Sequence, residues 1–153
     1  MNFRFFKVAL LALSLALTFS GTPLLFAQEE AKQGPTDKDA PKEFTKTASG
    51  LKYKILRKSD KKKPTRKDTI TIHYKGWLDD GKEFDGSYKR GKPSTFPLGR
   101  LIAAWQEALP LVGEGGMIEL EVPPELGYGE AGSPPVIPPS ATLHFIVELI
   151  EIK

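Results

Sequence analysis

The sequence predicts an α+β domain in which several antiparallel strands curve around one short helix. Apolar residues alternate with polar ones through Ile118, Leu120 and Val122, and again through Leu143, Phe145, Val147 and Leu149. That is the period of half-buried strands. Beyond residue 27 only residues 101–109 show helical spacing, in Leu101, Ile102, Trp105 and Leu109, and Pro110 ends the run. Between the two strands lies a long loop carrying Pro123, Pro124, Pro134, Pro135, Pro138 and Pro139 with Gly127, Gly129 and Gly132, which neither helix nor strand crosses. A loop of this length in a compact domain points to function, and Tyr128, Val136 and Ile137 give it apolar groups to turn inward.

The remaining elements follow in chain order. With 153 residues, 40% hydrophobic and 27% charged, the chain has room for one domain and a short extension. Residues 1–27 read as a secretory signal, with Arg4 and Lys7 ahead of an apolar core and a small residue, Ala27, at the expected cut. Cleavage after Gly21, or retention of the segment as a membrane anchor, are the alternatives. Residues 28–48 are polar and are expected to form a mobile arm. The domain then occupies residues 49–153. Leu51, Tyr53 and Ile55 mark a first strand, and Ile70, Ile72 and Tyr74 a second with Tyr74 pointing inward. Asp79, Asp80 and Gly81 form a hairpin turn that returns through Glu83, Phe84 and Asp85. Residues 95–97 are a short extended piece before the helix, and residues 111–116 turn the chain into the strand beginning near Met117.

Composition excludes several functions. Setting aside Arg4 and Lys7, 20 of the 22 basic residues remain against 19 acidic ones, a net charge of +1. Phosphate binding needs a concentrated positive face, so nucleic acid is not an expected partner. The basic residues between Arg57 and Lys67 are broken by Ser59, Asp60 and Pro64 and read as a solvated loop. There is no cysteine, hence no disulfide or thiol chemistry. His73 and His144 are the only histidines, each on the polar side of its strand, so both are expected to face solvent and no metal site or cofactor is expected. No nucleophile elbow, Walker loop or dinucleotide fingerprint is present.

What remains is aromatic. Tyr74, Phe84, Trp105, Tyr128 and Phe145 come from five separate elements, and with Leu101, Ile102 and Ile137 they form either one pocket or simply the core. The stretch PPELGYGEAGSPPVIPPSATLHFIVEL closely resembles the carboxy-terminal signature of the FKBP-type peptidyl-prolyl isomerases. HYKGWLDDGKEFD and LGRLIAAWQEAL resemble two further segments of that family. The resemblance covers residues 49–153 and implies a five-stranded antiparallel sheet wrapped around the helix, isomerase activity on X–Pro bonds, and proline-containing polypeptides as partners. It implies Tyr74, Asp85, Tyr128 and Phe145 as catalytic residues and Phe84, Leu101, Ile102, Trp105 and Ile137 as substrate-binding ones. Trp105 would be the platform under proline, and the Ile102 N–H and Tyr128 hydroxyl would hold substrate carbonyls. Asp85 either faces the twisting carbonyl carbon or orients groups near Tyr74. Macrolides of the FK506 and rapamycin type are further expected ligands. Ala104 departs from a glycine common in the family. The expected protein is a monomer in a bacterial periplasm, with a proline-binding module or holdase of little turnover as the alternative.

Overall fold

The computed structural model describes residues 31–153, so the expected signal segment lies outside the described residues. Seven strands form one antiparallel sheet: Thr45–Lys46 (β1), Lys52–Arg57 (β2), Thr69–Leu78 (β3), Glu83–Gly86 (β4), Ser94–Pro97 (β5), Met117–Val122 (β6) and Leu143–Ile152 (β7). Their order is β1-β2-β6-β7-β3-β4, with β5 also on β3. The count exceeds the expected five for two reasons. β4 and β5 pair with different halves of β3, around Lys75–Trp77 and Thr69–Ile72, so they are two pieces of one edge row. β1 adds only a two-residue pairing to β2.

The alternation in β6 and β7 places the faces as expected. Ile118 opposes Val147 and Leu120 opposes Phe145, all turned toward the helix side and all at most 3% exposed. Against them packs the helix, Ala103–Ala108 (α1), which buries Ala104, Trp105 and Ala108. It is shorter than residues 101–109. Ile102 is extended, with ψ 153°, and Pro110 sits inside a following 3-10 turn, Leu109–Leu111. Each fully buried Leu or Ile in this layer contributes about 1.5–3 kcal/mol by leaving water.

Of the segment expected as a mobile arm, Gln33, Gly34 and Pro35 are held against the opposite face of the sheet, while Thr45–Lys46 join the sheet as β1. The cause is a notch in that face. A bulge in β2 sets Arg57 directly opposite Met117, so that it shares a face with Glu148 of β7. Arg57 Nη2 and Glu148 Oε1 are 2.5 Å apart, and Tyr88 donates its hydroxyl to the same carboxylate at 3.2 Å. Into this notch fit the Gly34 N–H, which donates to Glu148 Oε2 at 3.3 Å, and the Pro35 carbonyl, which accepts from Arg57 Nη1 at 2.9 Å. A Cβ on Gly34 would stand 2.5 Å from Glu148 Oε1, so no other residue fits without displacing the pair. Gln33 covers Met117, which is fully buried although it points away from the helix.

Burial opposes the charge on Glu148, but hydrogen bonding and attraction from Arg57, together with Gly34 and Tyr88, hold its carboxyl below the ordinary glutamate range. A depressed folded value means stability that is present above the unfolded value, near pH 4.5, and lost as pH falls through the folded one. Urea midpoints measured from pH 7 down to about pH 3 are expected to fall below about pH 4.5, and Glu148→Gln is expected to flatten part of that fall. Identical slopes for wild type and Glu148→Gln would show that the notch contributes nothing.

Candidate active site

On the helix side of the sheet, a pocket of about 300 Å³ opens beside the start of α1. Its floor is the indole of Trp105, only 5% exposed. Tyr74 meets Trp105 edge-to-face at 5.3 Å between ring centroids, and Phe145 meets it from the other side at 5.1 Å. Phe84 continues the series against Phe145 at 5.6 Å and Phe96 against Tyr74 at 6.3 Å. Five rings thus form one connected wall in the edge-to-face geometry that aromatic quadrupoles favour. Trp105 Nε1 is the one buried side-chain polar atom without a partner among the described residues.

Backbone irregularity makes the wall possible. β4 pairs Asp85 with Gly76 and Glu83 with Trp77, leaving Phe84 as the extra residue of a bulge. In a regular strand Phe84 and Asp85 would point to opposite faces. Here both line the pocket. Leu101 and Ile102 line it too, because the chain is extended through them before α1 begins.

The polar edge of the pocket is a connected set of hydrogen bonds. Tyr74 donates its hydroxyl to Asp85 Oδ2 at 2.6 Å, Arg90 donates to Asp85 Oδ1 at 2.9 Å and to the Tyr74 hydroxyl at 3.0 Å, and the Gly86 N–H reaches Asp85 Oδ1 at 2.8 Å. Burial works against the Asp85 charge, but these bonds from Tyr74, Arg90 and Gly86 outweigh it and keep the carboxyl below its usual range. Burial, then the bond to Asp85, pushes the Tyr74 phenol up to about 12. At neutral pH one group stays ionised and the other stays neutral, so the pair acts as a fixed dipole and not as a proton relay. Tyr128 stands on the rim, 42% exposed, its phenol raised by burial and by the Asp85 charge.

All the residues expected at the site line the pocket except Ile137, which is 4% exposed within the core. It serves the loop, exchanging backbone hydrogen bonds with Ser133, both at 2.9 Å. Sequence reasoning missed Phe96, Arg90 and Arg100. Phe96 had a signal, since its position between Thr95 and Pro97 fits strand alternation; the arginines lie in loop and turn segments with no periodicity to read. His73 and His144, expected to face solvent, are half-buried and partnered. His73 stacks on Tyr88 and bonds Ser87, while His144 stacks on Trp77 and bonds Asp79. Neither lines the pocket. Among the described residues no cluster of three or more His, Cys, Asp or Glu is placed to hold a metal ion.

A curved antiparallel sheet closed on one short helix, with a ring-lined hollow beside it, defines the class of the domain as α+β. Comparison with known proteins gives the class its family. The profile of the family described as FKBP-type peptidyl-prolyl cis-trans isomerase matches residues 60–150, and the chain belongs to that family. It is 49% identical over 106 residues to the peptidyl-prolyl cis-trans isomerase Mip of Coxiella burnetii, covering 69% of this chain and 46% of that protein. It is 46% identical over 129 residues to FkpA of Escherichia coli, covering 83% of this chain and 47% of FkpA. The chain therefore spans about half the length of these curated relatives. The crystal structure of Escherichia coli FkpA superposes with a TM-score of 0.71 at 45% identity, over 74% of this chain and 53% of that one. The crystal structure of AtFKBP13 superposes at 0.68 with 35% identity, over 72% of this chain and 99% of that one.

Proposed function

We propose that the protein is a peptidyl-prolyl cis-trans isomerase whose pocket receives the proline of an X–Pro segment and accelerates rotation about the bond before it, during folding of exported proteins. The connected wall of rings above Trp105 carries this reading. Twisting a peptide bond costs ~18–20 kcal/mol because amide resonance is lost. The twisted amide is less dipolar than the planar one, so an apolar hollow favours it relative to the ground state, which is the differential binding that catalysis needs. The X–Pro isomers differ by only about 0.5–1 kcal/mol, so the barrier alone limits exchange. No bond between heavy atoms breaks, which matches a site whose one carboxylate is held ionised among donors. The Ile102 N–H and the Tyr128 hydroxyl have no hydrogen-bond partner among the described residues and suit substrate carbonyls. Asp85 then orients Tyr74 and Arg90 at the edge.

An NMR-exchange or protease-coupled assay on a short X–Pro peptide tests the proposal. Pure protein is expected to accelerate exchange, and Phe145→Ala and Asp85→Ala are each expected to lower kcat/KM about tenfold or more, each decade being about 1.4 kcal/mol of transition-state binding. Tyr128 and Val136, both 42% exposed on the long loop, favour a second reading, a module that grips proline segments without turnover. Peptide binding with no acceleration would leave only that reading. The same proposal takes residues 1–27 as an export address to a bacterial periplasm, the protein as a monomer, and macrolides of the rapamycin type as competitors for the pocket. Among the described residues no helix is long and apolar enough to cross a membrane.

A further inference from the structure

We propose that Arg100 is a specificity-determining residue that makes the pocket prefer X–Pro segments bearing an acidic side chain within two residues of the proline. The inference rests on the reading of the pocket as a prolyl site. Its basis is the charge balance at the mouth. Only Asp85 and Arg100 are charged among the lining residues. Asp85 is already matched, by the guanidinium of Arg90 at 2.9 Å and by the Tyr74 hydroxyl. Arg100 has no such match: it is exposed, and none of the described residues forms an ion pair or hydrogen bond with its side chain. The acidic residues of the long loop, Glu125 and Glu130, do not line the pocket. The mouth therefore presents one uncompensated positive charge to whatever chain enters.

That charge is displayed from a fixed support. Arg100 ends the 3-10 turn Leu98–Arg100, anchored by the fully buried Leu98. Gln106 of α1 donates to the carbonyls on either side of it, Gly99 at 3.2 Å and Leu101 at 2.7 Å. Gly99 packs so closely on the Arg66 carbonyl that a Cβ would lie 2.7 Å from its oxygen. Arg100 is also two residues from Ile102, whose N–H is proposed to hold a substrate carbonyl. An extended substrate advances about 3.3–3.6 Å per residue, so a carboxylate one or two positions from that carbonyl comes within reach of a guanidinium.

The test is a matched peptide set with Glu, Ala or Lys at each position within two residues of the proline, assayed for kcat/KM at low salt and at about 0.5 M salt. At one or more positions the Glu peptide is expected to exceed the Ala peptide about three-fold at low salt, as for a partly solvated ion pair, with the excess shrinking at high salt. Arg100→Lys is expected to keep a preference, Arg100→Gln to bring the ratio to one, and Arg100→Glu to turn it toward the Lys peptide. A Glu-to-Ala ratio of one in the wild type, or a ratio unchanged in Arg100→Gln, overturns the proposal. Absence of acceleration for every peptide overturns the isomerase reading instead. In that case the Kd values of the same peptides, read from tryptophan fluorescence, decide the Arg100 question, and equal Kd for Glu and Ala peptides overturns it.

Discussion

Trp105→Ala is expected to bring isomerisation down to near the uncatalysed rate and to destabilise the domain by about 3–5 kcal/mol. Both effects have one origin. The indole is packed between Tyr74 and Phe145, with Ala104 and Ala108 buried on the same helix, so its removal opens a cavity that neighbouring rings fill only by leaving the pocket wall. Trp105→Leu separates the two roles. It retains more of the buried volume but supplies no flat surface, so it is expected to recover part of the stability and little of the activity. Urea unfolding measures the first and NMR exchange the second. Full activity in Trp105→Leu would show that the pocket needs apolar volume there and not a planar floor.

Gly76→Ala is expected to lower kcat/KM more than tenfold while the protein stays folded. Gly76 lies in β3 directly beneath two rings of the wall, and a Cβ there would stand 2.7 Å from Phe145 Cε1 and 2.7 Å from Phe84 Cζ. Those rings also hold each other edge-to-face, so relieving one contact is expected to displace both, and displacement toward the opening narrows the pocket. Overpacking of this kind costs about 1–3 kcal/mol, which a domain of ordinary stability survives, whereas a narrowed pocket does not admit a proline ring. Circular dichroism and unfolding midpoints establish the folded state, and the exchange assay reads the loss. Unimpaired turnover in a folded Gly76→Ala would mean that the two rings shift away from the pocket and that their positions are not critical.

Where strands alternate cleanly, the sequence was readable in detail. The apolar series of β7 and the inward placement of Tyr74 follow from a period of two, which a half-buried sheet imposes. Helical spacing was less reliable. Leu101 and Ile102 fit the stripe of α1 but are apolar for another reason: they line the pocket from extended backbone ahead of the helix. Neighbouring Phe84 and Asp85 share a pocket only because of a bulge, which depends on how β4 meets β3 and leaves no periodic mark. Ile137 sits in a motif that suggested the wall; its side chain is buried in the core cluster, and its backbone pairs with Ser133 within the loop. Residues 31–46 looked unstructured because they bury little of their own. Their course depends on a notch between Arg57 and Glu148, 91 positions apart and brought together by the fold.

The same notch settles which way the amino-terminal side of the domain is approached. Gly34 and Pro35 are clasped on one surface of the sheet, while the ring-lined hollow opens on the other. Ala31, whose N–H bonds the Tyr88 carbonyl, belongs to the same clasped segment, none of whose residues lines the hollow, so the entrance stays clear for an incoming polypeptide.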